Sequence, residues 1–114
     1  MSQGVEVPQG TMVFVSGQVA RNLDGSVHGV GDITAQTRKV LRNMEAVLAE
    51  SGAVMDDVVK VTVFVTNLAE HFSEIHKVRG EFFKNDYPAS TMVEVTSLVH
   101  EDMLIEIEAV AVVQ

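Results

Sequence analysis

Two carboxylates stand out in a segment that otherwise has little use for them. Residues Met103 to Val113 alternate as a β-strand does, with Ile105, Ile107, Ala109, Ala111 and Val113 on one side. Leu104, Glu106, Glu108, Val110 and Val112 take the other side. Glu106 and Glu108 therefore point the same way from a strand that is nearly all apolar. Solvation, or pairing with Lys or Arg, is the plain account of such a pair. The functional account is that at least one of them lines a pocket and is placed there to move a proton. The histidines offer less. His28, His71, His76 and His100 are scattered, and the middle two are five apart, which puts them on different helical faces rather than in the i, i+4 arrangement of metal ligands. His28, His71 and His76 read as surface residues, and neither a metal site nor a cofactor is expected.

The elements that position these residues follow from hydrophobic periodicity. Pro88 to Val95 reads as a strand, with Thr91, Val93 and Val95 alternating with Met92, Glu94 and Thr96, and the expected partner is Met103 to Val113 across a loop at Ser97–Asp102. Near the start, Val5 and Val7, a turn at Pro8-Gln9-Gly10 and a strand at Met12–Val15 predict a first hairpin. Ser16-Gly17-Gln18 follows, where a glycine allows close approach by another chain or a ligand, or forms a bulge or turn. The loop from Arg21 to Gly31 is polar and carries three glycines (Gly25, Gly29, Gly31) that do not fit the GxGxxG spacing, so dinucleotide binding is unsupported. Asp32 is placed to cap a helix running to Glu50 or Ser51 and ended by Gly52, with Ile33, Thr37, Val40, Leu41, Met44, Val47 and Leu48 as its apolar stripe and Gln36 among the residues outside it. Val58 to Val65 is a β-branched strand whose Val59, Val61, Val63 and Val65 form one apolar face. A second helix, capped at Asn67, runs from about Leu68 to Phe83 with Phe72, Ile75, Val78 or Arg79, and Phe82 buried, and Asn85–Pro88 breaks it.

The order β-β-α-β-α-β-β in 114 residues predicts one α+β domain, 1–114, with two helices on one face of a mixed or antiparallel sheet. The other sheet face is then apolar and bare, which soluble monomers rarely tolerate, so a closed oligomer is expected, its subunit number unspecified. The chain has no cysteine, which suits a reducing, cytoplasmic setting. Met1-Ser2-Gln3-Gly4 begins no basic-then-apolar leader, and no membrane span or membrane partner is expected. A net charge of −8 opposes attraction to nucleic acid or anionic lipid.

Several stretches together resemble the RidA family (YjgF/YER-type, L-PSP endoribonuclease-like proteins): Ser16-Gly17-Gln18, Gly31 to Thr37 and on to Met44, Val59 to Val65, Phe82-Phe83 before Pro88-Ala89, and Glu106 to Val112. The resemblance spans essentially the whole chain. It implies a chorismate-mutase-like fold, a homotrimer with a small-molecule ligand in each inter-subunit cleft, and hydrolysis of enamine or imine intermediates to 2-keto acids and ammonia. It also implies roles for residues. Glu106 matches the glutamate that positions water and handles protons, and Ser16-Gly17 matches the pair that supplies backbone contacts. Ser90 falls where the family has an arginine that grips the substrate carboxylate, with Thr91 after it, and the family's N-terminal tyrosine falls on Met1.

Replacing that arginine by Ser90 removes charge-assisted hydrogen bonds worth roughly 1.5–3 kcal/mol each. Arg79, Lys77 or His100 from a neighbouring subunit would restore a cation, though no pattern in the sequence places them there. Two readings remain. One is a small-molecule binding trimer without the arginine used on 2-imino acids. The other is an imine or enamine deaminase for a non-standard substrate, with Glu106 on water, Ser90, Thr91 and the Ser16-Gly17 backbone as contacts and Phe72 as a possible wall. Glu108 reads as structural or solvated. Ribonuclease activity is disfavoured by the negative charge and the lack of a basic stripe.

Overall fold

The computed structural model describes residues 1–114. Helix α1 (Ile33–Glu50) starts where Asp32 Oδ1 accepts the Ala35 N–H at 3.0 Å and stops before Gly52, which takes a φ of 71°. Its buried stripe is the expected one with two changes: Val47 is only partly covered, and Gln36 is fully buried. Gln36 is a polar strut. Its Nε2 donates to Asp102 O at 2.7 Å and Gly29 O at 3.3 Å, and its Oε1 accepts the Leu104 N–H at 2.8 Å. One amide thus ties two loops to α1, a role no helical periodicity reveals. Gln36→Leu is expected to lower unfolding free energy by roughly 2–4 kcal/mol, because it strands the part-buried Asp102 carbonyl and Leu104 N–H. Urea denaturation measures it.

Strands β1 (Thr11–Val19), β2 (Val58–Val65), β3 (Ala89–Glu94) and β4 (Ile105–Val113) form one mixed sheet in the order β1-β4-β2-β3. A single 3-10 turn, Met55–Asp57, leads into β2. β4 runs antiparallel to both neighbours, and β3 runs parallel to β2. Helix α2 (Leu68–Phe82) makes the crossover between that parallel pair. Val15, Val61, Val63, Val65, Ile105, Ile107, Ala109 and Ala111 face the helices and, with α1, make the core. A register shift between Val58 and Lys60 displaces Val59, so Val58 rather than Val59 joins that buried face.

Two pairings differ from expectation. Val5 and Val7 form no strand; β1 pairs with β4, and the leading segment's one β-bridge to the sheet is Ser2–Ala89. Three residues before a proline are too short a strand to compete with nine-residue β4 for the side of β1. The final hairpin is also absent, since β2 lies between β3 and β4. The strand that is apolar on both sides takes the centre, and the more polar β3 takes the edge.

Helix α2 brings further corrections. Asn67 sits at the N-cap with a φ of 52° but caps nothing with its side chain; Glu94 Oε1 accepts the Leu68 N–H at 2.8 Å instead. His71, expected at the surface, is buried, as are Ile75, Val78 and Arg79, while Phe72 is half exposed. The far sheet face carries no helix. Phe14 is 71% and Met12 57% exposed there, on β1, whose Val15 is buried on the opposite face. No helix is long and apolar enough to cross a membrane.

Candidate functional site

Glu106 and Gly17 are brought together by a β-bulge. Val15 pairs with Ala109 and Gln18 with Ile107, so Ser16 and Gly17 lie opposite Glu108 alone. The extra residue slides Gly17 beneath Glu106. A Cβ at Gly17 would fall on Glu106 Oε2 and crowd its Cδ and Cγ. The glycine is therefore there for close approach, not for a special backbone angle. The Glu106 carboxylate is half-buried and belongs to none of the chain's ion pairs. It borders a groove of about 600 Å³ together with Gly17, Asn22, Lys39, Asn43 and Val99. Asn43 fixes one wall by donating to Val19 O at 3.1 Å and Arg21 O at 3.2 Å. Glu108 is exposed and does not line this groove. Of the two carboxylates in β4, only Glu106 is held at a concave surface.

Ser90 and Thr91 lie at the other edge of the sheet and point to opposite faces, as consecutive strand residues must. Ser90 pairs with the buried Val61 and faces α2; Thr91 pairs with Thr62 on the bare face. There Lys60 Nζ donates to Thr91 Oγ1 at 3.2 Å, to Thr62 Oγ1 at 3.3 Å and to Val61 O at 2.8 Å. Ser90 has a different neighbour. Arg79 Nη2 of the same chain donates to Ser90 Oγ at 2.6 Å. Arg79 is only 4% exposed, its Nε is buried without a partner, and no carboxylate of the chain pairs with it. Burial holds its pKa below the usual guanidinium range. Lys77 instead lies 3.8 Å from Glu74, and His100 Nδ1 accepts the Asp102 N–H at 3.0 Å. A guanidinium thus stands at the position where the sequence has only a serine. Its sequence signal is slight: Arg79 lies four residues after Ile75, on the border of the buried face of α2.

Phe72, His76 and Arg79 share one strip of α2 at i, i+4 and i+7. The Phe72 and His76 rings stack with centroids 6.1 Å apart and planes within 8°. The structure therefore holds two groups of candidate residues. Gly17 and Glu106 sit at the β1–β4 edge, and Ser90, Arg79 and Phe72 at the β3 edge. They lie on opposite sheet faces, and Ser90 is two strands, about 10 Å, to the side of Glu106 and three residues further along the sheet, level with Ala109. Within one chain they do not meet.

This α+β subunit, with one sheet face bare and polar groups at both edges, is the fold of Rid-type proteins. A Rid protein of Yersinia pestis, YyfB, superposes with a TM-score of 0.91 at 34% identity over 98% of this chain and 86% of that one. Residues 1–113 match the family model described as Endoribonuclease L-PSP, and the chain belongs to that family. A 2-iminobutanoate/2-iminopropanoate deaminase of Dermatophagoides farinae is 37% identical over 113 residues, 99% of this chain and 85% of that protein. The structure of E. coli TdcF with bound serine matches with a TM-score of 0.82 and 35% identity, covering 100% of this chain and 88% of TdcF.

Proposed function

We propose that this chain forms a homotrimer, in the cytoplasm, whose inter-subunit clefts bind a small imine or enamine and hydrolyse it to a carbonyl compound and ammonia. The observation that carries this is the Glu106 carboxylate, seated over Gly17 at a groove and unclaimed by any cation of its own chain. The position of the two groups of residues supports a ring. A head-to-tail cyclic assembly sets the β1–β4 edge of one copy against the β3 edge of the next, whereas a two-fold interface pairs like with like. The bare face with Phe14 and Met12 supplies the apolar surface for such an assembly.

In the cleft, Glu106 takes a proton from water as the water oxygen bonds to the imine carbon. It passes that proton to nitrogen to give a carbinolamine, then takes the new hydroxyl's proton as the carbonyl forms and delivers it to nitrogen as the carbon–nitrogen bond breaks and ammonia leaves. Gly17 keeps the carboxylate close to the backbone at the rim of the groove. Activity of the deaminase relative supports this chemistry. The test is release of ammonia and 2-oxobutanoate from freshly generated 2-iminobutanoate, above the spontaneous rate, by the parent and by Glu106→Gln. A second reading, binding without turnover, is favoured by the serine held in the TdcF structure. Saturable binding with no acceleration of any imine would select it.

A further inference from the structure

We propose that Arg79, steadied by Ser90, is the group that recognises a carboxylate on the ligand, which narrows the ligand class to small 2-imino or 2-oxo acids. This rests on the cleft reading above. The guanidinium has donors to spare. Arg79 is 4% exposed, yet the only acceptor it meets in the chain is Ser90 Oγ, at 2.6 Å. Its Nε is buried without a partner. Arg38, by contrast, holds Glu81 through two donors, Nε at 3.1 Å and Nη2 at 2.8 Å. As a mere strut between α2 and β3, Arg79 is a poor choice, because a buried cation without a counter-charge is expensive and a neutral side chain would span the same gap. An incoming carboxylate repairs both defects at once: it cancels the charge and accepts in the planar, two-pronged geometry that guanidinium favours.

The surroundings agree with a ligand arriving there. Phe72 and His76, on the same strip of α2 as Arg79, form a stacked and exposed aromatic pair one to two turns before it. Ser90 lies on the edge strand, the side to which the proposed ring would bring a neighbouring subunit's groove. Arginine and glutamate then come from different chains and do not neutralise each other before the ligand binds. Ser90 acts through Arg79 and is a positioning residue. Its short hydroxyl leaves room for a guanidinium delivered from the helix.

The experiment compares 2-oxobutanoate with its uncharged amide, 2-oxobutanamide, by calorimetric titration of the intact oligomer and of Arg79→Met, Arg79→Lys and Ser90→Ala. The parent is expected to prefer the acid. Arg79→Met should weaken acid binding on the order of a hundredfold while changing amide binding by less than about threefold. Arg79→Lys should fall between them, since it keeps the charge but loses the fork. Ser90→Ala should raise KM for 2-iminobutanoate about tenfold with kcat little changed, a split that a purely structural role would not give. Thermal melts of the variants check folding, and Arg79→Lys keeps the test decisive if the methionine variant is unstable. Equal acid binding by parent and Arg79→Met, or a parent indifferent between acid and amide, overturns the proposal. Failure of the two ideas is separable. Turnover of 2-iminobutanoate that ignores Arg79 sinks only this inference, whereas Arg79-dependent acid binding with no turnover sinks only the hydrolase.

Discussion

Glu106→Gln is expected to cut imine hydrolysis about 10²–10⁴-fold, to near the spontaneous rate, while leaving thermal stability and oligomeric state unchanged. Both halves follow from the geometry. The amide keeps the length and volume of the side chain, so its seat over Gly17 is preserved. No ion pair of the chain depends on the carboxylate, so none is lost with it. What disappears is the ability to accept a proton from water. Glu108→Gln is the control, because that carboxylate is exposed on the same strand and outside the groove. Its rate should stay within about twofold of the parent, as for an exposed residue that touches nothing reactive. Equal rates in Glu106→Gln and parent would remove Glu106 from the chemistry. Equal losses in both variants would point to the local field of the strand instead.

That Glu106 merited attention was legible from alternation alone, because a strand of valine, isoleucine and alanine leaves two acids conspicuous. Which of the two lines a surface hollow was not legible, since that depends on the bulge at Ser16–Gly17 and on loops from distant parts of the chain. The helices and the four strands of the sheet followed from periodicity of 3.6 and 2, and so did a sheet bare on one side. Pairing did not. Strand order depends on which strand is apolar on both faces and on the crossover through α2, whereas proximity in sequence favoured two hairpins that do not form. Arg79 marks the same limit at the level of a side chain. Ser90 by itself gives no hint of a cation, yet the guanidinium hydrogen-bonded to it comes from eleven residues upstream on a helix. Only the packing of α2 on the edge strand makes those two positions neighbours. Gln36 is the counterpart in the core: a polar residue beside an apolar stripe looks solvated until the loops that need its amide are in place.

Phe14→Asp is expected to dissociate the assembly into single folded chains and, with that, to abolish activity at a site it does not touch. Phe14 is 71% exposed in the isolated chain, so the substitution leaves the core intact and the monomer should fold. In a ring that covers the bare face, each copy instead loses the burial of a phenylalanine, roughly 1.5–3 kcal/mol, and would have to bury a carboxylate as well. Sedimentation should show one chain where the proposed trimer of the parent gives three. A fully associated Phe14→Asp would place the interface elsewhere. The same logic gives a sharper result with two inactive variants. If the acid and the guanidinium of each cleft come from different chains, mixing Glu106→Gln with Arg79→Met through unfolding and refolding restores intact sites. Random assembly places both intact residues in about a quarter of the clefts. A site built within one chain would regain nothing, because every chain in the mixture carries one lesion. Recovery of activity from two silent parents therefore measures, without any structure of the oligomer, whether the opposite edges of this sheet meet.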